Sequence, residues 1–176
     1  MKKYLWLAML SVLLVCSALA VAVQSGWKEY VYAEDGFAIS APMQPTLQTE
    51  SKDTPIGSVD AHNYTVDLGN ETAVGVNATD FKMGQGIDAK LVLAATKAGL
   101  AESLQAKIVS EKEISLGSEP GLELELVTDS THLRFRYFFI DGKLFALMST
   151  APLAKPFAPE TTRMFDSFRL VAGKSK

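Results

Sequence analysis

Along most of the chain, apolar and polar positions alternate with a period of two, the pattern of strands with one face buried. Trp27 to Ala33 predicts a strand carrying Trp27, Tyr30 and Tyr32, and Glu34-Asp35-Gly36 a turn. Phe37–Ser40 reads as a second strand, stopped by Pro42 and Pro45, and Thr46–Ser51 as a polar strand at a sheet edge. After a turn at 53–57, Val59–Leu68 alternates cleanly. His62, Tyr64, Val66 and Leu68 share one face, and Ala61, Asn63, Thr65 and Asp67 the other. Gly69-Asn70 turns the chain into a hairpin partner, Ala73–Phe81.

Over 87–104 the period becomes helical. Ile87, Leu91, Ala94, Ala98, Ala101 and Leu104 form a predicted apolar stripe. Alternation returns in Lys107–Leu116, Pro120–Val127, His132–Ile140 and Lys143–Ser149. With a turn at Asp129-Ser130, Leu126 faces Leu133, Leu124 faces Phe135 and Leu122 faces Tyr137. On the opposite face Glu125 meets Arg134 and Glu123 meets Arg136. Charge pairs and apolar pairs falling into one register together is a strong pairing signal. Asp141-Gly142 has the residues a type I′ turn demands. Arg134 and Arg136 share a face with Phe138, Ile140, Phe145 and Leu147, so that face is charged at one end and apolar at the other. A second helix is predicted over 157–168, with Phe157, Met164, Phe165 and Phe168 on its buried side. Strands, helix, strands, helix is an α+β order: an antiparallel, meander-rich sheet packed by two helices. Its expected extent is 27–171, with 172–176 as a tail.

The first twenty residues follow a different pattern. A basic Met1-Lys2-Lys3 precedes an apolar run from Tyr4 to Val15, and Ala18-Leu19-Ala20 offers the small residues of a signal-peptidase site. The reading is a signal peptide over 1–20, with an alternative end at 22, and an extracytoplasmic (periplasmic or secreted) mature chain. Two alternatives are retention of the segment as a membrane anchor helix and lipidation at Cys16.

Composition then removes chemistries. The 176 residues hold 17 Lys+Arg and 20 Asp+Glu, a formal charge of −3. Residues 1–20 carry two lysines and no acid, so without them the charge is −5. An acidic chain lacks the basic stripe of a nucleic-acid binder. One cysteine and two histidines supply neither a disulfide framework nor a multi-cysteine metal site, so no metal and no cofactor are expected. Gly84-Gln85-Gly86-Ile87-Asp88-Ala89 fits a dinucleotide fingerprint in letters only, because that motif needs a parallel βαβ unit. No nucleophile elbow occurs, and no catalytic residue is assigned. His132, beside a turn, is expected to be solvated. His62 with Tyr64 is the candidate ligand-binding pair, against the plainer reading of a half-buried strand histidine. Glu123 and Glu125 are assigned as structural partners of Arg136 and Arg134. Asn63, Asn70 and Asn77 head N-x-T sequons, relevant only in a glycosylating host.

Several marks repeat a family pattern. Glu34-Asp35-Gly36-Phe37 is followed by Ala41-Pro42 and Pro45, then Gly57 with His62 and Tyr64. Pro120-Gly121-Leu122-Glu123, Arg134-Phe135-Arg136-Tyr137, Asp141-Gly142-Lys143-Leu144-Phe145 and Phe165-Asp166-Ser167-Phe168-Arg169-Leu170 complete it. Over about 27–171 the chain resembles small exported bacterial domains with the PsbP-type α/β/α sandwich. The resemblance implies a fold and no reaction. Glu119 departs from it, standing where a small polar residue or histidine is expected. The functional expectation is a non-catalytic exported domain that binds a protein, such as an envelope protein, or assists an envelope complex. Its contact surface is expected at the 138–147 sheet face or at exposed edge strands. The alternative is a small-ligand binder or hydrolase-like enzyme built on His62 and Tyr64.

Overall fold

The computed structural model describes residues 26–54, 57–81 and 87–172. The N-terminal segment with its cleavage options and Cys16, the glycines of the 84–89 motif and the tail from 173 lie outside these residues.

The architecture is mixed α+β, mostly antiparallel sheet, with two helices among the described residues. Seven strands form the main sheet: β3 (Thr46–Thr54), β4 (Gly57–Gly69), β5 (Thr72–Asp80), β6 (Lys107–Leu116), β7 (Glu119–Val127), β8 (Thr131–Ile140) and β9 (Lys143–Pro152). Their spatial order is β3-β4-β5-β9-β8-β7-β6. A smaller sheet has β2 (Phe37–Ala41) between β1 (Lys28–Tyr32) and β10 (Arg169–Leu170).

Side-chain alternation gives the main sheet two buried faces. On one, Tyr64, Val66, Val74, Val76, Phe138, Phe145 and Leu147 meet Phe37 and Ile39 of the small sheet and Met164, Phe165 and Phe168 at the C-terminal helix. On the other, Leu122, Leu124, Leu126, Phe135, Tyr137 and Phe139 meet Leu93 of the first helix. The layers are therefore small sheet with α2 (Pro159–Asp166), main sheet, and α1 (Ala89–Leu104).

The β7–β8 register is the one the charge and leucine pattern specifies, from Leu122↔Tyr137 to Leu126↔Leu133. Asp141 and Gly142 both take positive φ (51° and 79°), which matches the twist of the strands they join. β9 runs to Pro152, three residues beyond the expected end, and there it still pairs with Thr131 of β8.

Three expectations need correction. The 138–147 face is not a contact surface: Phe138, Phe145 and Leu147 are buried, covered by the small sheet and α2. Ile87, Leu91 and Leu104 of the expected α1 stripe are exposed, Leu91 at 68%. Ala101 of that stripe does pack, together with Ala89, Val92, Leu93 and Leu100, which lie off it. Alanines at 89, 94, 95, 98 and 101 make this helix apolar on several sides, so the larger Val92, Leu93 and Leu100 decide which side turns inward. Asp88 caps it, accepting a hydrogen bond from the Lys90 backbone N–H at 2.9 Å. The C-terminal helix spans only Pro159–Asp166, with Pro159 at its start where a missing N–H costs nothing.

Candidate functional site

The turn after β1 is closed by the Asp35 and Gly36 N–H groups, both bonded to Tyr32 O (3.1 and 2.9 Å). Gly36 takes φ +82°, a conformation strained for any residue with a Cβ. The turn lays Asp35 back onto the main sheet, where its carboxylate meets the row of β4 that faces the small sheet. Tyr64 Oη donates to Oδ2 at 2.5 Å. His62 Nδ1 lies 2.9 Å from both carboxylate oxygens. From the start of β9, Lys143 Nζ donates to the Asp35 backbone oxygen at 3.0 Å and stands 3.7 Å from Oδ1.

Asp35 is 6% exposed, so these contacts replace the water it has lost. An ionised carboxylate only accepts, which places the proton on His62 Nδ1. Burial, and then the hydrogen bond to Asp35, push the Tyr64 phenol well above its ordinary value of 10.0. The Tyr64 ring sits 4.0 Å from that of Tyr32 and edge-on to Phe37 at 5.2 Å.

The structure thus brings His62 and Tyr64 together through Asp35, which reads in the sequence as a turn residue and as part of the Glu34-Asp35-Gly36-Phe37 mark, without a site role. Asp35 is 27 positions from His62 and 29 from Tyr64, and nothing local marks its burial. Its signals are that an acid stands in the turn next to the buried Phe37-Ala38-Ile39 run, and that it shares the resemblance pattern with His62 and Tyr64.

An aspartate-oriented imidazole can assist proton transfer only if a reacting group reaches its other nitrogen. Among the described clefts, none is lined by both His62 and Tyr64. Tyr64 is already committed to Asp35. No cluster of three metal-binding side chains occurs among the described residues. The cluster works as a latch that fixes the β1–β2 turn against β4 and β9.

That latch shapes a cleft of about 480 Å³ between the small sheet and the start of β3. Val31, Tyr32, Glu34, Pro45, Leu47 and Tyr64 line it. Val31 is 54% and Leu47 51% exposed. Both strands flanking it, β1 and β3, stand at the end of their sheets.

The other assigned residues lie near α2. Arg134 Nη2 and Nε donate to Glu125 at 2.6 and 2.9 Å. Arg136 donates to Glu123 at 2.5 Å and to Asp166 of α2 at 2.7 Å. His132 is not solvated as expected: its Nε2 is buried, 3.5 Å from Glu125 Oε2, and its ring lies 4.3 Å from Phe157. Phe157, ahead of α2, folds back over the strand start and shields it. Asn63 and Asn77 are cross-strand partners joined by a 2.8 Å hydrogen bond, while Asn70 is exposed at a turn.

No protein-family model matches the chain, and no curated protein matches it. Among the described residues, no helix is long and apolar enough to cross a membrane.

Proposed function

We propose that the chain is an exported, non-catalytic domain of the PsbP-like type that binds an extended segment of an envelope protein along the outer edge of β3. The observation that carries this reading is the edge itself. Thr46-Leu47-Gln48-Thr49 is uncharged, sits in unbroken register on β4, pairs with no described strand on its other side, and opens onto the cleft that Val31 and Leu47 line. An added strand would gain main-chain hydrogen bonds from β3 and seat one side chain between Val31 and Leu47. Glu34, exposed at the cleft, favours a segment with a basic residue beside its apolar anchor. The basic start, apolar run and small-residue site before Val21 support export. The saturated Asp35 carboxylate supports a binding role over chemistry.

A photo-crosslinking residue at Leu47, in the producing cell, is expected to capture a discrete envelope protein, and one at Val109 on the opposite edge to capture none. Equal capture from both positions, or none from Leu47, contradicts the reading.

A further inference from the structure

A second cleft lies on the far side of the main sheet, between α1 and the β6–β7 edge, with a volume of about 180 Å³. Its floor is apolar, from Leu93, Ile114 and Leu122. Four charged side chains surround it. Lys97 and Glu111 neutralise each other, with Nζ at 2.9 and 3.2 Å from the carboxylate oxygens. Lys90 and Glu113 remain, one of each sign, with no side-chain partner among the described residues.

This pattern selects by charge. A monocarboxylate would gain Lys90 but face Glu113, and an amine would gain Glu113 but face Lys90. An uncharged apolar molecule would fill the floor and leave both ions unanswered. A zwitterion with an apolar side chain answers both ions and covers the floor. We propose that this cleft binds a free apolar amino acid, its carboxylate at Lys90, its ammonium at Glu113 and its side chain over Leu93 and Leu122. The cleft is of a size for one such molecule. The site is separated from the β3 cleft by the sheet, so it stands independently of the protein-binding reading.

The test is calorimetric titration of the purified protein with L-phenylalanine and L-leucine, beside phenylacetate and phenethylamine as single-charge analogues. For so small a ligand the expected Kd is on the order of 0.1–1 mM. The single-charge analogues are expected to bind at least about tenfold more weakly. Lys90→Ala and Glu113→Ala, both exposed side chains at the rim of the cleft, are expected to weaken the amino acid by a similar factor while unfolding normally. Amide chemical-shift changes should cluster on 90–97 and 111–122. Absence of saturation by either amino acid, analogues as tight as phenylalanine, or variants that bind unchanged would each overturn the proposal.

Discussion

The strands β3 and β6 close opposite ends of one seven-stranded sheet, yet they meet their surroundings differently. β6 carries Glu111-Lys112-Glu113 at its centre, and Val109 is bulged out of register between Ile108 and Ser110. Charge and a bulge are the devices by which sheets refuse a further strand. α1 adds a third, through the Lys97–Glu111 ion pair. β3 has none of these in its first four residues, and all nine of its pairs with β4 are in register. One edge is thus guarded along its centre, while the other is uncharged over Thr46–Thr49, where it borders the cleft lined by Val31 and Leu47.

The largest way to break this comparison is through the latch. Asp35→Ala strands a buried tyrosine hydroxyl and removes the acceptor of His62, so a loss of about 2–4 kcal/mol is expected in denaturant unfolding. The cleft wall should loosen with it, so capture from Leu47 should fall while the β6 side is unaffected. Replacing Arg136 by Ala cuts ties to Glu123 and Asp166 on the partly exposed β7–β8 face. We expect about 1–2 kcal/mol and no change in capture, which separates stability from edge function.

Reversing the guards is the next test. Glu111→Val with Glu113→Val should turn β6 into a sticky edge, seen as concentration-dependent association in sedimentation, with folding stability within about 0.5 kcal/mol. Thr49→Lys should do the opposite at β3, abolishing capture at a similarly small stability cost.

The smallest effect is in pH. Tyr64 has a folded value above its unfolded 10.0, so its neutral form is favoured in the native state. That stabilisation is complete below about pH 10 and is lost as pH rises toward the folded value. Buried Tyr137 behaves in the same direction. Tyr64→Phe should therefore shallow, without abolishing, the alkaline fall of stability, measured by unfolding at a series of high pH values.

Much of this fold is legible in the chain because its signals are local. Leucines and charges in one register specify β7–β8, and Asp141-Gly142 specifies the turn to β9. The rest depends on distant partners. β10 pairs with β2 across some 130 residues of intervening chain, through Arg169↔Ala38 and Leu170↔Phe37, and two residues carry no strand pattern. Parity puts Phe138, Phe145 and Leu147 on one face but cannot say that the small sheet covers them. In α1, alanine blurs the periodicity. At the site, His62 and Tyr64 stand out as neighbours on a strand face, whereas Asp35, which joins them, is invisible until the turn is folded onto the sheet.

The most direct test of the edge account is amide hydrogen exchange with extended peptides selected from a displayed library against the immobilised protein. The account predicts slowed exchange across Thr46–Thr49 with β6 unchanged, and selected peptides that share an apolar anchor beside a basic residue. Protection of Lys107–Leu116 instead, or of neither edge by any selected peptide, would contradict it.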